Sequence, residues 1–183
     1  MRVIAGSLKG RTLGTPKWAG VRPTSDKLRE TLFNVVARRV PDARVLDAYA
    51  GTGAIGIEAL SRGASHVTFL DCDPRSLKLI ADNLQRCGVS DRYVIIRARL
   101  GDKLQPLPTG LFDLAVLDPP YDEPDLTAAI APVEDLIAPG GWLVLEHAKR
   151  RASPESVGNL VRTRALVSGD SALAFYTRLR PED

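Results

Sequence analysis

Cysteine and histidine are nearly missing from this 183-residue chain, with two of each. Cys72 and Cys87 lie far apart without a CxxC spacing, so no metal site is expected, and both read as small buried apolar residues. Long hydrophobic runs are missing too. No apolar stretch approaches the roughly 18 residues that span a bilayer. The start, MRVIAGSLKGR, lacks the apolar core of a signal peptide, so a cytoplasmic protein without membrane contact is expected. Internal repeats and low-complexity segments are absent as well.

What the chain does have is enough apolar residue, 44%, to bury a core in one domain, with room for a small extension. The net charge of +3 hides an asymmetry. Residues 1–40 hold nine Lys/Arg against two Asp/Glu, or +7, whereas residues 41–183 hold sixteen against twenty, or −4. The basic part forms a separate region, and a local excess of this kind is the electrostatic footprint expected for a polyanion.

From about Ala43 onward, strand-length apolar runs alternate with amphipathic helical stretches, the pattern of an α/β domain with a parallel sheet. ARVLDAYA, HVTFLD, RYVIIR, FDLAVLD and WLVLEH are the expected strands. Helices are expected over Ala54–Arg62, over Pro74–Cys87 with Gly88 beyond its end, and over Asp125–Ile137 closed by PGG. VRTRALV and ALAFYTRL, joined at Ser168-Gly169-Asp170, predict a terminal antiparallel hairpin. Ahead of the core, RVIAG and GRTLGT suggest a short hairpin, and Ser25–Arg39 a helix capped by Thr24 or Ser25.

The stretch LDAYAGTGAIG contains Gly51-x-Gly53-x-x-Gly56, the glycine fingerprint of dinucleotide sites. Asp71, twenty residues after Gly51, ends the second strand, where an acid can accept both hydroxyls of a ribose. These features serve a nicotinamide cofactor and S-adenosylmethionine alike. Asp47, four residues before Gly51, separates them: a carboxylate there repels phosphates but attracts an ammonium. At the end of the fourth strand stands Asp118-Pro119-Pro120-Tyr121. A carboxylate and a proline-held carbonyl accept both hydrogens of an exocyclic amine while the tyrosine stacks on the base, so these residues are the candidate catalytic set. The pocket suits guanine N2 and adenine N6 equally, and its base must be unpaired or flipped out.

These motifs resemble class I S-adenosylmethionine-dependent methyltransferases, whose fold is a Rossmann-like, mostly parallel sheet ending in an antiparallel hairpin. RVIAGSLKGRTLGTP, VRPTSDKLRETLFNVV, LDAYAGTGAIGIEALSRGA and LDPPY, in that order, resemble the RsmD family of 16S ribosomal RNA guanine-N2 methyltransferases over nearly the whole chain. The resemblance implies an extension over residues 1–40, a cofactor-binding domain over 41–183, and 16S ribosomal RNA in the small subunit as partner. By analogy, Asp47, Gly51 and Gly53 would hold the methionine end and Asp71 the ribose. Asp118 to Tyr121 would hold the guanine, and Lys9, Arg11, Arg22 and Thr24 the RNA. Phe33 and Asn34 become expected cofactor neighbours only through this likeness. Val21 departs from the family's frequent threonine. Arg99 stands where many methyltransferases place an acid, so adenine contacts are expected from Arg99 and Leu100, with Asp102 the less favoured substitute. An adenine-N6 methyltransferase and an inactive RNA-binding assembly factor remain as alternative readings. Glu146, His66, His147 and the run Lys149-Arg150-Arg151 read as solvated or edge residues, and Trp18 as either a hinge anchor or an RNA contact.

Overall fold

The computed structural model describes residues 1–16, 18, 25–101 and 107–180. The elements in chain order are α1 (Asp26–Val36), β1 (Arg44–Ala48), α2 (Ala54–Ser61), β2 (His66–Asp71), α3 (Pro74–Cys87), β3 (Tyr93–Arg97), β4 (Phe112–Leu117), α4 (Leu126–Ile130), β5 (Ile137–Ala148), β6 (Ser156–Val157), β7 (Leu160–Ser168) and β8 (Ser171–Arg178). All eight strands form one sheet in the order β3-β2-β1-β4-β5-β8-β7-β6. The pairs from β3 to β5 are parallel, and those from β5 to β6 are antiparallel.

Period-2 alternation divides the core between the two faces of the sheet. Val45, Phe69, Val116 and Val144 pack against α1, α2 and α3, whereas Leu46, Leu70, Leu117 and Leu145 pack on the α4 side. Helix ends follow the expected chemistry. Ser25 caps α1 by accepting from Leu28 N at 3.2 Å, and Asp73 caps α3 by accepting from Arg75 N at 2.8 Å, with Pro74 in the first turn. None of the described helices is long and apolar enough to cross a membrane.

Four boundaries differ from expectation, the first being the helix expected over Ser25–Arg39, which is α-helical only over Asp26–Val36 and ends as a 3₁₀ turn over Ala37–Arg39. The helix expected over Asp125–Ile137 keeps α-geometry only to Ile130 and continues as a 3₁₀ segment over Ala131–Leu136. Pro132 has no N–H to give an earlier carbonyl, which breaks the α-ladder there. PGG lies within β5, where the register passes from Phe112–Ile137 to Leu114–Trp142 and leaves the glycines in a bulge. The N-terminal hairpin forms as a single bridge, Arg2 to Thr12.

This N-terminal segment is tied down strongly. Val3 and Leu13 are buried in the same cluster as α1, α2 and α3. The fully buried Glu58 of α2 accepts Ile4 N at 2.7 Å, Ala5 N at 3.0 Å and Arg62 Nε at 2.8 Å, and lies 3.9 Å from Arg29 Nη1. Arg29, also fully buried, donates to Arg2 O at 2.8 Å and Asp26 Oδ1 at 2.7 Å. Gly6 (φ +82°) crosses the end of α2 so closely that a Cβ would stand 1.9 Å from Ser61 O.

Candidate active site

In the register, Ala48 pairs with Leu70 on one side and Leu117 on the other. The residues that follow these strands therefore leave the sheet along one edge, which gathers Tyr49, Asp71 and Asp118. This is also where strand order reverses between β1 and β4, the crevice in which open α/β sheets bind ligands.

Asp47 sits just inside that edge, 2% exposed, and its Oδ2 accepts Gly56 N at 2.8 Å. Burial pushes its carboxyl up from 3.8 to about 8. The Gly56 hydrogen bond opposes that shift, and the nearby Asp71 charge adds to it. Such an acid regains its charge when a cation is set against it. Asp71 joins the two halves of the crevice: Oδ2 accepts Gly51 N at 2.8 Å and Oδ1 accepts Asp73 N at 2.9 Å. Each carboxylate oxygen has a second lone pair for a ligand donor.

Between them the chain turns through positive φ at Tyr49 (59°), Gly51 (55°) and Gly53 (74°). Tyr49 is the unexpected member, since an aromatic residue seldom adopts this conformation and strained residues concentrate at ligand sites. Its phenol is raised above its ordinary value by burial and by the charges of Glu123 and Cys72, and Arg99 partly offsets this. Tyr49, Cys72, Arg99 and Glu123 thus share one neighbourhood. Gly56 does a different job: a Cβ there would lie 2.2 Å from Phe69 Cε1, so its role is to let α2 press against β2. Buried Asn83 of α3 holds the turn from below, donating to Thr52 O at 2.9 Å and accepting Gly14 N at 2.7 Å.

Asp118 and Tyr121 are half-buried, Pro119 is buried and Pro120 exposed. Pro120 O accepts Glu123 N at 2.9 Å, which shapes the loop into a turn. The Tyr121 hydroxyl lies against Ser171 Oγ and 3.4 Å from Glu146 Oε1, and Ser171 Oγ donates to Glu146 Oε1 at 3.3 Å. The ring is therefore anchored at its far end. Arg151 closes the loop from outside, donating to the carbonyls of Glu123 and Pro124, the latter at 2.6 Å.

Other expected residues fall elsewhere. Lys9 and Arg11 are exposed on the segment that hydrogen-bonds to Ser61 at the C-terminal end of α2, away from the strand-end acids. Arg22, Thr24 and Asp102 lie outside the described residues. Leu100 packs against the α4-side core, and Arg99 is exposed beside Tyr49. Phe33 is not at the crevice: it lies fully buried beneath the Arg62 guanidinium, 4.8 Å away, while Asn34 lines a groove at the opposite strand ends. Trp18 packs on Arg75 of the first α3 turn, ring centre to guanidinium carbon 5.2 Å.

A family model described as Conserved hypothetical protein 95 matches residues 1–177. YlbH of Bacillus subtilis (strain 168) is 36% identical over 183 residues, covering 97% of this chain and 99% of that protein. Ribosomal RNA small subunit methyltransferase D of Escherichia coli (strain K12) is 33% identical over 187 residues, covering 97% and 90%. The chain belongs to the RsmD family. The solved structure of yhhF from Escherichia coli superposes with a TM-score of 0.85 at 31% identity, over 98% of each chain.

In this RsmD-family methyltransferase, sequence reasoning missed several residues around the crevice. Tyr49 carries no sequence signal, because its backbone conformation is set by the turn that follows. Glu146 and His147 were detectable: two polar residues close the apolar run WLVLEH, and both are 4% exposed, not solvated as expected. Burial keeps His147 below its ordinary pKa, against a partial offset from the Ala148 carbonyl. Cys72 is exposed at the end of β2, and Cys87 is buried as expected.

Proposed function

We propose that this protein transfers a methyl group from S-adenosylmethionine to the exocyclic N2 amine of a guanine in 16S ribosomal RNA, on the small ribosomal subunit in the cytoplasm. The observation that carries this reading is the Asp118-Pro119-Pro120-Tyr121 turn, which leaves β4 beside the glycine turn of β1, with its tyrosine tethered by Glu146 and Ser171. The name of the Escherichia coli relative, a ribosomal RNA small subunit methyltransferase, supports the substrate class.

The crevice fits the cofactor chemically. Asp47, which burial and Asp71 hold toward its neutral form when no cation is near, regains its charge against an ammonium and so can pair with one. Asp71 offers acceptors to a ribose, Gly51 and Gly53 turn the backbone close to the methionine end, and Arg99 and Leu100 border the base. When bound, S-adenosylmethionine supplies an electrophilic methyl group. The chain supplies position. A nucleobase amine is a weak nucleophile because its lone pair is delocalised into the ring. The Asp118 carboxylate and a carbonyl of the proline pair would accept hydrogen bonds from its two N–H groups and return density to nitrogen, and the proton that N2 sheds as it gains the methyl would pass to Asp118. Tyr121 holds the flipped base by stacking, and orientation of this kind contributes up to roughly 7–11 kcal/mol without a strong base. Residues 1–40, including Lys9, Arg11, Arg22 and Thr24, form the basic extension that meets the RNA, and residues 41–183 form the cofactor-binding domain.

The test is incubation with labelled S-adenosylmethionine and unmodified small subunits, followed by mass spectrometry of the nucleosides. N2-methylguanosine is expected, whereas N6-methyladenosine refutes the assignment. Asp118→Ala is expected to abolish transfer with cofactor affinity retained, and surviving turnover refutes the mechanism.

A further inference from the structure

A cavity of about 470 Å³ opens beside Tyr121, walled by Ala148, Lys149, Arg150 and Asp170. It lies where the exit from β5 meets the β7–β8 turn, and Lys149 N donates to Asp170 O at 2.8 Å to hold the two together. The three consecutive cations after β5 divide their work. Arg151 is committed to the carbonyls of Glu123 and Pro124 and so fixes the loop that carries Tyr121. Lys149 and Arg150 are exposed, line the cavity and form no ion pair among the described residues.

We propose that this cavity is a sugar-phosphate subsite: Lys149 and Arg150 hold phosphates of the RNA strand next to the target guanosine, and Asp170 accepts a ribose hydroxyl. The inference rests on the reading of the Tyr121 pocket as the guanine site. A nucleotide that leaves its stack rotates about its own backbone, so its flanking phosphates arrive at the rim of the pocket that takes the base. At that rim stand two exposed cations that form no ion pair among the described residues. A sugar-phosphate chain alternates anions with hydroxyl donors and so matches a wall of two cations and one acceptor. An inorganic anion matches only the cations and is repelled by Asp170.

Steady-state methylation of unmodified small subunits by the full chain tests the subsite. Lys149→Ala/Arg150→Ala is expected to raise KM for subunits about tenfold or more, with kcat within about threefold and KM for S-adenosylmethionine unchanged. The slope of log KM against log salt is expected to fall by about 1 per lost phosphate contact. Lys149→Gln/Arg150→Gln, which keeps more of the side-chain length, is expected to behave the same way, and Lys149→Arg to stay near wild type. Unchanged KM and salt slope, or a loss confined to kcat, overturns the subsite. Asp170→Ala is expected to raise KM for subunits; a fall in KM means the acid only repels the strand and overturns its assigned role. If the wild-type protein fails to methylate guanine N2, the parent reading fails instead.

Discussion

Asp47 Oδ2 accepts the Gly56 amide at 2.8 Å, so the acid of β1 is bonded to the first turn of the helix that follows it. Because burial lifts this carboxyl from 3.8 to about 8, the folded protein keeps a proton that the unfolded chain loses in between. The native state binds more protons over that window, so this group makes stability fall as pH rises from about 4 to about 8. Asp47→Asn keeps an oxygen for Gly56 and is expected to flatten the slope in urea denaturation between pH 5 and 8.5. An unchanged slope assigns the titration elsewhere.

The same proton is expected to couple to cofactor binding. If a cationic ammonium binds beside ionised Asp47, binding expels the proton below about pH 8. Calorimetry with S-adenosylmethionine in buffers of differing ionisation enthalpy is expected to show proton release near pH 6.5 and affinity that rises with pH. Asp47→Asn is expected to bind more weakly and to release no proton.

The Glu58 clasp predicts a local effect and a global one. Glu58→Ala leaves the fully buried Arg29 without its carboxylate partner on α2 and strips the acceptors from Ile4 N and Ala5 N. Arg29 keeps Asp26 at 2.7 Å, so the expected cost is that of the stripped amides and the weakened pair, about 1–3 kcal/mol. Urea denaturation measures the total, and faster amide exchange at Ile4 and Ala5 locates it. A loss under 1 kcal/mol contradicts the clasp.

Gly56→Ala drives a methyl against Phe69 and Val67, with contacts of 2.2 Å and 2.8 Å in the unrelaxed geometry. The helix must move away from β2, at a cost of about 1–3 kcal/mol. Because Asp47 is bonded to the Gly56 amide, cofactor affinity is expected to fall with stability. Calorimetry that finds affinity intact would separate the two.

Tyr121→Phe retains the ring but loses its anchor to Glu146 and Ser171. A modest rise in KM for subunits, about two- to tenfold, is expected. Tyr121→Ala also removes the ring proposed to stack on the base, an interaction of about 1–3 kcal/mol, and is expected to lower kcat/KM far more. Equal losses in the two variants would place the effect in the hydroxyl alone.

The parallel strands and α3 were legible because apolar runs, Pro74 and Gly88 point to the same boundaries. The 3₁₀ stretch after α4 was not, since Pro132 breaks α-geometry inside a pattern that still reads as helical, and neither was the bulge in β5, where pairing with β4 overrides a turn-like PGG. In the crevice, Asp47, Asp71 and Asp118 were readable as strand-end acids. The environment of Asp47 and the tether on Tyr121 depend on partners distant in sequence, and the positive φ of Tyr49 on the path of the turn after it, none of which spacing alone discloses.

Gly6 shows where exposure and tolerance part company. It is solvent-exposed, yet its positive φ and its approach to the Ser61 carbonyl leave no volume for any side chain. In a saturation-mutagenesis map this surface position would read like an interior one, and every substitution there would loosen the strap from α2 before it touched the chemistry.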